Sequence, residues 1–351
     1  MAAAERQEQE TDDGSPAGLT KEEDMKVIPK SLFVLACVAA LAMPAQAQWK
    51  PQKPVEFIIM AGPGGGADQI ARLFQGLIQQ KDLSPVPFIP INKEGGSGAE
   101  ALRYLQDKAG DDHTLLVTLN SFYTTPIIQE DLGVDVTKFT PIGRMALDTF
   151  LLWVNSEEGE INSLEEWASK AKEEGKEWKM GGTGSGQEDS ILTAMLENEF
   201  GLDITYIPFP GGGTVAKNLI GKHVDSTVNN PAEQNEFFRA GQSKPLVQFT
   251  DERMEAFPDV PTAKELGHDV VYYMQRSING PPGMSEEARQ FYIDLFSQLY
   301  QSEEWQKYCV DEGLDCEEWV AGDDLAGFHQ TQLKRHRELI EKVGAEAITG
   351  Q

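Results

Sequence analysis

Four times in this chain a short β-rich apolar run ends in a cluster of glycines and a helical pattern begins. The clusters are Gly62-Pro63-Gly64-Gly65-Gly66, Gly95-Gly96-Ser97-Gly98, Gly181-Gly182-Thr183-Gly184-Ser185-Gly186 and Gly211-Gly212-Gly213. Extended runs at 55–60, 86–91 and 114–119 alternate with helical patterns at 68–80 and 98–109. This βαβ rhythm calls for a mostly parallel sheet covered by helices on both faces. It resumes with extended runs at 150–154, 178–181 and 204–208 and a strand at 224–228. Between them lie helices at 163–174, where Ser163 and Glu166 are spaced as a capping box, and at 189–200 and 214–221. An extended run at 245–250, a proline-rich turn at 257–262, another extended run at 270–278 and helices at 285–301, 303–312 and 323–342 complete the chain. The pattern reads as two α/β domains, the second inserted into the first. The inserted domain is placed at 148–270, and the first is built from 48–147 and 271–351; the return crossing is either 245–250 or 270–278.

A glycine turn between strand and helix lets bare backbone N–H groups face a ligand at the positive end of the helix dipole, which suits a carboxylate or phosphate. In open α/β sheets ligands lie at that edge. The bland alternative is that the glycines only provide tight turns with positive φ. Against 57 Asp and Glu stand 30 Lys and Arg, a net charge of −27. Nucleic-acid affinity comes largely from Lys and Arg displacing counterions, so that class of partner is excluded. Adaptation of the surface to a salty environment would explain the acidity without any partner. The 351 residues suit one large or two modest domains.

Residues 25–47 carry two lysines (Lys26, Lys30), an apolar run from Leu32 to Met43 and the small-residue pattern Ala45-Gln46-Ala47. This is the pattern of a secretory signal peptide, cleaved after Ala47, and its apolar stretch is shorter than the ~20 residues of a permanent span. Residues 1–24 hold eight acids against two basic residues and no apolar run. They read as a disordered upstream extension, with Met25 as the true start. Lipidation of Cys37 is disfavoured because too few apolar residues precede it and the run continues beyond it. In the exported chain Cys309 and Cys316 remain, and an oxidising compartment makes a disulfide between them plausible.

Enzymatic readings find little support. The segment Gly62-Pro63-Gly64-Gly65-Gly66-Ala67 satisfies the dinucleotide pattern G-x-G-x-x-A after a strand, which raises an exported α/β oxidoreductase as the alternative. That pattern also needs an acid at the end of the second strand, and there 86–91 runs into Asn92 and Lys93, with Glu94 already in the next turn. Neither a P-loop nor a G-x-S-x-G elbow is present. Ser121 and Ser185 lack a sequence-evident histidine partner and read as hydrogen-bond donors. His113, His223, His268, His329 and His336 have no metal-ligand spacing.

From about Gln48 onward the chain resembles the extracytoplasmic solute receptors of tripartite tricarboxylate transporters, the Bug or TctC family. The resemblance rests on Phe57-Ile58-Ile59-Met60-Ala61-Gly62-Pro63-Gly64-Gly65-Gly66-Ala67-Asp68, on Asn92-Lys93-Glu94-Gly95-Gly96-Ser97-Gly98, and on Phe209-Pro210-Gly211-Gly212-Gly213 followed by Gly221-Lys222-His223-Val224-Asp225. Pro258-Asp259-Val260-Pro261-Thr262 adds to it. It implies a two-lobed periplasmic binding protein-like α/β fold, each lobe a mainly parallel sheet flanked by helices, with a ligand cleft between lobes. It further implies a monomeric, non-enzymatic periplasmic protein, with no cofactor or metal, that delivers a small carboxylate solute to membrane subunits. A ligand-sensing subunit of a signalling system would share the same pocket.

The implied ligand contacts are Pro63, Gly64, Gly65, Gly66, Ala67 and Asp68 on the first loop, Ser121, Phe122 and Tyr123 on a turn of the same lobe, and Thr183, Gly184, Ser185 and Gly186 on the opposite lobe, with Gly212 and Asn229. Phe122 and Tyr123 either line an apolar pocket or merely pack. The chain departs from the family where Gln187-Glu188-Asp189-Ser190 replace a Ser/Thr and a His, and where Asn229 stands for a common Asp. It also carries Arg276 at a position often aromatic, where the side chain is expected to pair with a second solute carboxylate. A citrate-like acid, a dicarboxylate, an acidic amino acid and an aromatic acid all fit such a cradle.

Overall fold

The computed structural model describes residues 49–157 and 161–349. The proposed extension, signal peptide and cleavage site after Ala47 lie outside them. Strand β1 (Val55–Ile59) is buried along nearly its whole length, as a strand covered on both faces must be. The loop after it leads into α1 (Gly66–Gln80), whose Ile70, Ala71, Phe74, Leu77 and Ile78 make one apolar stripe against the sheet. Next come β2 (Phe88–Asn92), α2 (Ala99–Asp107), β3 (Thr114–Val117), α3 (Ser121–Ile128) and β4 (Thr140–Asp148). Two residues later β5 (Leu151–Asn155) opens a second sheet.

That second sheet is built with α4 (Leu164–Glu174), β6 (Lys179–Thr183), α5 (Glu188–Phe200), β7 (Thr205–Phe209), α6 (Gly212–Ile220), β8 (Ser226–Thr227), α7 (Pro231–Arg239) and β9 (Ser243–Gln248). The chain returns to the first sheet at β10 (Met274–Gly280). It ends through α8 (Glu286–Tyr300), α9 (Glu303–Glu312), β11 (Val320–Ala321), α10 (Gly322–Val343) and α11 (Ala345–Thr349). A disulfide joins Cys309 in α9 to Cys316, with Cα atoms 6.2 Å apart.

The strand orders are β11-β4-β10-β3-β1-β2 and β7-β6-β8-β5-β9. Both sheets are mixed. Parallel pairing is confined to β2-β1-β3 and β7-β6-β8, the strands linked through the glycine turns and helices. The strands that carry the chain between sheets run against their neighbours: β10 is antiparallel to β3 and β4, and β5 to β8 and β9. A segment coming back from the other half enters its sheet from the opposite end, which accounts for the reversal. All four glycine clusters fall at the junction of a strand and the helix that follows it, the third beginning inside β6. At α4, Ser163 Oγ accepts the Glu166 N–H at 3.2 Å, while the Glu166 carboxylate reaches past the cap to the Asn162 N–H at 2.6 Å.

Candidate functional site

Where the first and second lobes meet, a small, partly open cavity of about 30 Å³ is bounded by Gly65, Gly66, Ala67 and Arg276 on one side and by Thr183, Gln187, Glu188, Asp189, Gly212 and Glu233 on the other, with Glu94 beside them. The loops that bound it touch main chain to main chain. A Cβ on Gly62 would lie 2.8 Å from the Pro210 carbonyl oxygen and one on Gly213 would lie 2.9 Å from that of Gly64, so only glycine permits the approach. Beside this seam the lobes are clasped by two hydroxyls of the first lobe. Ser97 Oγ donates to the Ser185 carbonyl at 2.7 Å and Thr124 Oγ1 to the Gly186 carbonyl at 3.0 Å.

Acids of the chain itself occupy the backbone donors of these loops. The Gly66 N–H, at the start of α1, donates to Glu233 Oε1 across the cleft at 3.1 Å. The Ser121 N–H, at the start of α3, donates to Glu188 Oε1, also across the cleft. Within the second lobe the Thr183 N–H donates to Asp189 Oδ2 at 2.8 Å, and within the first the Gly64 N–H donates to Asp68 Oδ2 at 2.9 Å. Burial raises the carboxyl pKa of Glu188 and Glu233, and raises that of Asp189 well above the ordinary range with help from neighbouring Glu233 and Glu188. Burial pushes Asp68 up too, but hydrogen bonds from Arg72, Gly64 and Asn92 outweigh it and hold that carboxyl low.

Arg276 is the buried cation of the cleft. Its Nε donates to Asp148 Oδ2 at 2.8 Å, Nη2 donates to the same oxygen, and Nη2 lies 3.4 Å from Asn230 Oδ1. Nη1 has no hydrogen-bond partner among the described residues. Both side chains of the pair are 1% exposed. Burial raises the Asp148 carboxyl even though Arg276 pulls it down. Asp148 closes β4 and Arg276 sits in β10, so the pair ties together the two strands that lead out of and back into the first sheet.

The structure separates the residues anticipated for the site. Gly65, Gly66, Ala67, Thr183, Gly212 and Arg276 bound the cavity. Pro63 and Gly64 are exposed on the outer bend of their loop, and Asp68 turns back to brace that loop instead of facing the cavity. Ser121 contributes its N–H to Glu188, while its hydroxyl is buried without a partner among the described residues. Phe122 and Tyr123 do not line the cavity: both are fully buried in the core, Tyr123 Oη lies 2.7 Å from His329 Nδ1, and the two rings meet edge to face. Their direction follows from α3, which carries them inward under α10. Gly184, Ser185 and Gly186 form the clasp beside the cavity, and Asn229 stands behind Glu233, donating to its Oε2 at 2.8 Å. Sequence reasoning missed Glu233, Asn230 and the Asp148 partner of Arg276. Asn230, Pro231 and Glu233 carry the N-cap, N1 and N3 signature of a helix start, which would have located Glu233 in the first turn of a helix.

Residues 70–345 match the family described as Tripartite tricarboxylate transporter family receptor. The chain belongs to this family. Among its relatives, BugT of Bordetella pertussis is 26% identical over 324 residues, covering 89% of this chain and 96% of that protein. The solved structure of the periplasmic binding protein BugD superposes with a TM-score of 0.79 at 20% identity, over 84% of this chain and 99% of that one. MatC from Rhodopseudomonas palustris, solved with malate bound, gives 0.75 at 22% identity over 83% and 99%. The fold is therefore that of the two-lobed periplasmic binding proteins. No described helix is long and apolar enough to cross a membrane.

Proposed function

We propose that this family member is a monomeric, non-enzymatic receptor, exported behind a signal peptide cleaved after Ala47. It captures a small carboxylate-bearing solute between its lobes and delivers it to the membrane subunits of a tripartite transporter. The lobes would be 48–147 with 271–351, and 148–270, moving about the crossings at 149–150 and 249–273. The observation that carries this reading is the polar cavity between glycine loops of opposing lobes, bounded by Arg276, whose buried Nη1 has no hydrogen-bond partner among the described residues. Malate bound to MatC, a protein of the same fold, supports a carboxylate as the cargo class. The first loop, despite its G-x-G-x-x-A spacing, is matched by no acid at the end of β2, where Asn92 instead donates to Asp68 Oδ1 at 3.0 Å.

Thermal unfolding against mono-, di- and tricarboxylates, amino acids, NAD and FAD tests the reading. A ligand at 100 times its Kd adds about 2.7 kcal/mol, a clear rise in midpoint. A rise with one or a few acids and none with the dinucleotides is the expected outcome; a rise with NAD or FAD alone would overturn it.

A further inference from the structure

Besides the crossings at 149–150 and 249–273, the lobes are linked at the C-terminus. Helix α10 lies against β4 and α3 of the first lobe, where His329 Nδ1 stands 2.7 Å from Tyr123 Oη, and it also meets α5 of the second. Beyond it α11 docks on α5, although by chain order both helices continue the first lobe. The anchor of α11 is Ile348, 1% exposed and packed into the core. Its carbonyl lies 3.3 Å from the Gly186 nitrogen, whose N–H it shares with Ser190 Oγ at 3.0 Å. The Gly186 carbonyl in turn accepts from Thr124 Oγ1 of the first lobe. Gly186 is thus held at both its N–H and its carbonyl by segments that arrive from the first lobe, and the loop it closes is the one that brings Thr183 to the cavity.

This contact is built to give. Gly344 joins α10 to α11 at φ +90°, a conformation that favours glycine, and a side chain there would meet nothing within 4 Å. With five residues α11 is too short to persist as a helix away from its seat. Ile348 is its one buried residue, and beside it runs an open groove of about 830 Å³ along Asn198, Leu202, Tyr206 and Pro208. A segment fixed by a single side chain, with space at its flank and a glycine joint at its start, can lift without unpacking the lobe beneath it. We propose that α11 is a strap of the closed state: tied to the first lobe through α10, it keeps the Thr183–Gly186 loop of the second lobe shut through Ile348, and it swings at Gly344 when the lobes part. The proposal rests on the reading of the lobes as moving parts and does not depend on what they hold.

Amide hydrogen exchange without added solute tests it on the full chain, a chain ending at Gly344, and Ile348→Ala. The informative amides are those of Gly66 and Ser121: both belong to the first lobe, both are covered across the cleft by second-lobe acids, and α11 contributes to neither bond. The β1 amides, which open only with their sheet, report global unfolding. In the wild type Gly66 and Ser121 should be less protected than β1, and in both variants their protection should fall about tenfold or more, the scale set by releasing one buried isoleucine. Unchanged protection at Gly66 and Ser121, with loss confined to Gly186 and α5, would make α11 local packing and overturn the proposal. Protection equal to that of β1 in every protein would overturn it too, because the lobes would then part only by unfolding, and this result alone would also count against moving lobes. Failure of both variants to fold would place α11 in the core of a lobe and likewise refute the strap.

Discussion

Replacing Arg276 by Met keeps most of the side-chain stem and removes the charge that faces Asp148. The carboxylate is 1% exposed and loses both its Nε and Nη2 donors. It can then stay ionised with only the Thr149 N–H, at 2.9 Å, as a partner, or take up a proton. Protonation limits the loss to about 1.36 × (7 − 3.8), or ~4.4 kcal/mol, at pH 7, and to ~1.6 kcal/mol at pH 5, starting from the ordinary Asp value of 3.8. The larger figure agrees with the ~3–5 kcal/mol for breaking a buried pair. The sign follows from a folded-state pKa above the unfolded one: such a group's contribution is fully present at low pH and is lost as pH rises, so the deficit must widen from pH 5 to pH 7. Urea denaturation of wild type, Arg276→Met, Asp148→Asn and the double variant at both pH values reads this out. The buried histidines are common to all four proteins and cancel in the differences; Glu188 and Glu233, which Arg276 also pulls down, shift upward with Asp148 when the guanidinium is removed and widen the same pH dependence. We expect the single Arg276 variant to lose about 3–4 kcal/mol at pH 7 and about half of that or less at pH 5, with the double variant recovering most of it. The reasoning fails if the loss is the same at both pH values, or if the double variant is no more stable at pH 7 than Arg276→Met.

A Cβ on Gly212 would overlap the Glu233 carboxylate, so Gly212→Ala should push that group off the Gly66 N–H and cost about 1–3 kcal/mol in chemical denaturation; an unchanged midpoint would refute the contact. Reducing the Cys309–Cys316 disulfide should cost about 2.5 kcal/mol by the loop-closure estimate for so short a ring, measured by denaturation with and without a phosphine reductant; no difference would speak against the bond. His329 and His336 are buried neutral, with pKa values lowered to about 3 and about 4 from 6.5. Their contribution is complete above pH 6.5 and drains away as pH falls, by about 2 kcal/mol each at pH 5. Stability of the His329→Gln/His336→Gln variant should thus change less between pH 7 and pH 5 than wild type, and identical slopes would contradict the assignment.

The α/β alternation could be read from the sequence because each parallel unit is local: an apolar run, a glycine turn and an amphipathic helix within about thirty residues. What escaped reading has physical causes. Strand β4 is interrupted by Pro141, Gly143 and Arg144, which obscure its alternation. Helix α3 holds Pro126 and is buried on every side of its first turns, so it has no amphipathic period to detect. The cleft was legible only in part. The glycine loops announce themselves, but Glu233 reaches Gly66 across 167 residues and Asp148 reaches Arg276 across 128, and no local pattern encodes those meetings. Phe122 and Tyr123 show the converse: adjacency to a ligand loop in sequence did not fix their direction, which the docking of α3 against α10 decides.

The bare seam formed by Gly62, Gly64, Gly211 and Gly213 acts as a mechanical stop. Two main chains in van der Waals contact cannot advance further, so the depth of closure is gauged by peptide thickness and not by side-chain rotamers, which fluctuate far more. A single methyl group at Gly213 would work as a wedge, holding the jaws ajar by its own width. The tolerance of the whole clamp is thus set at a place where the chain has no side chain at all.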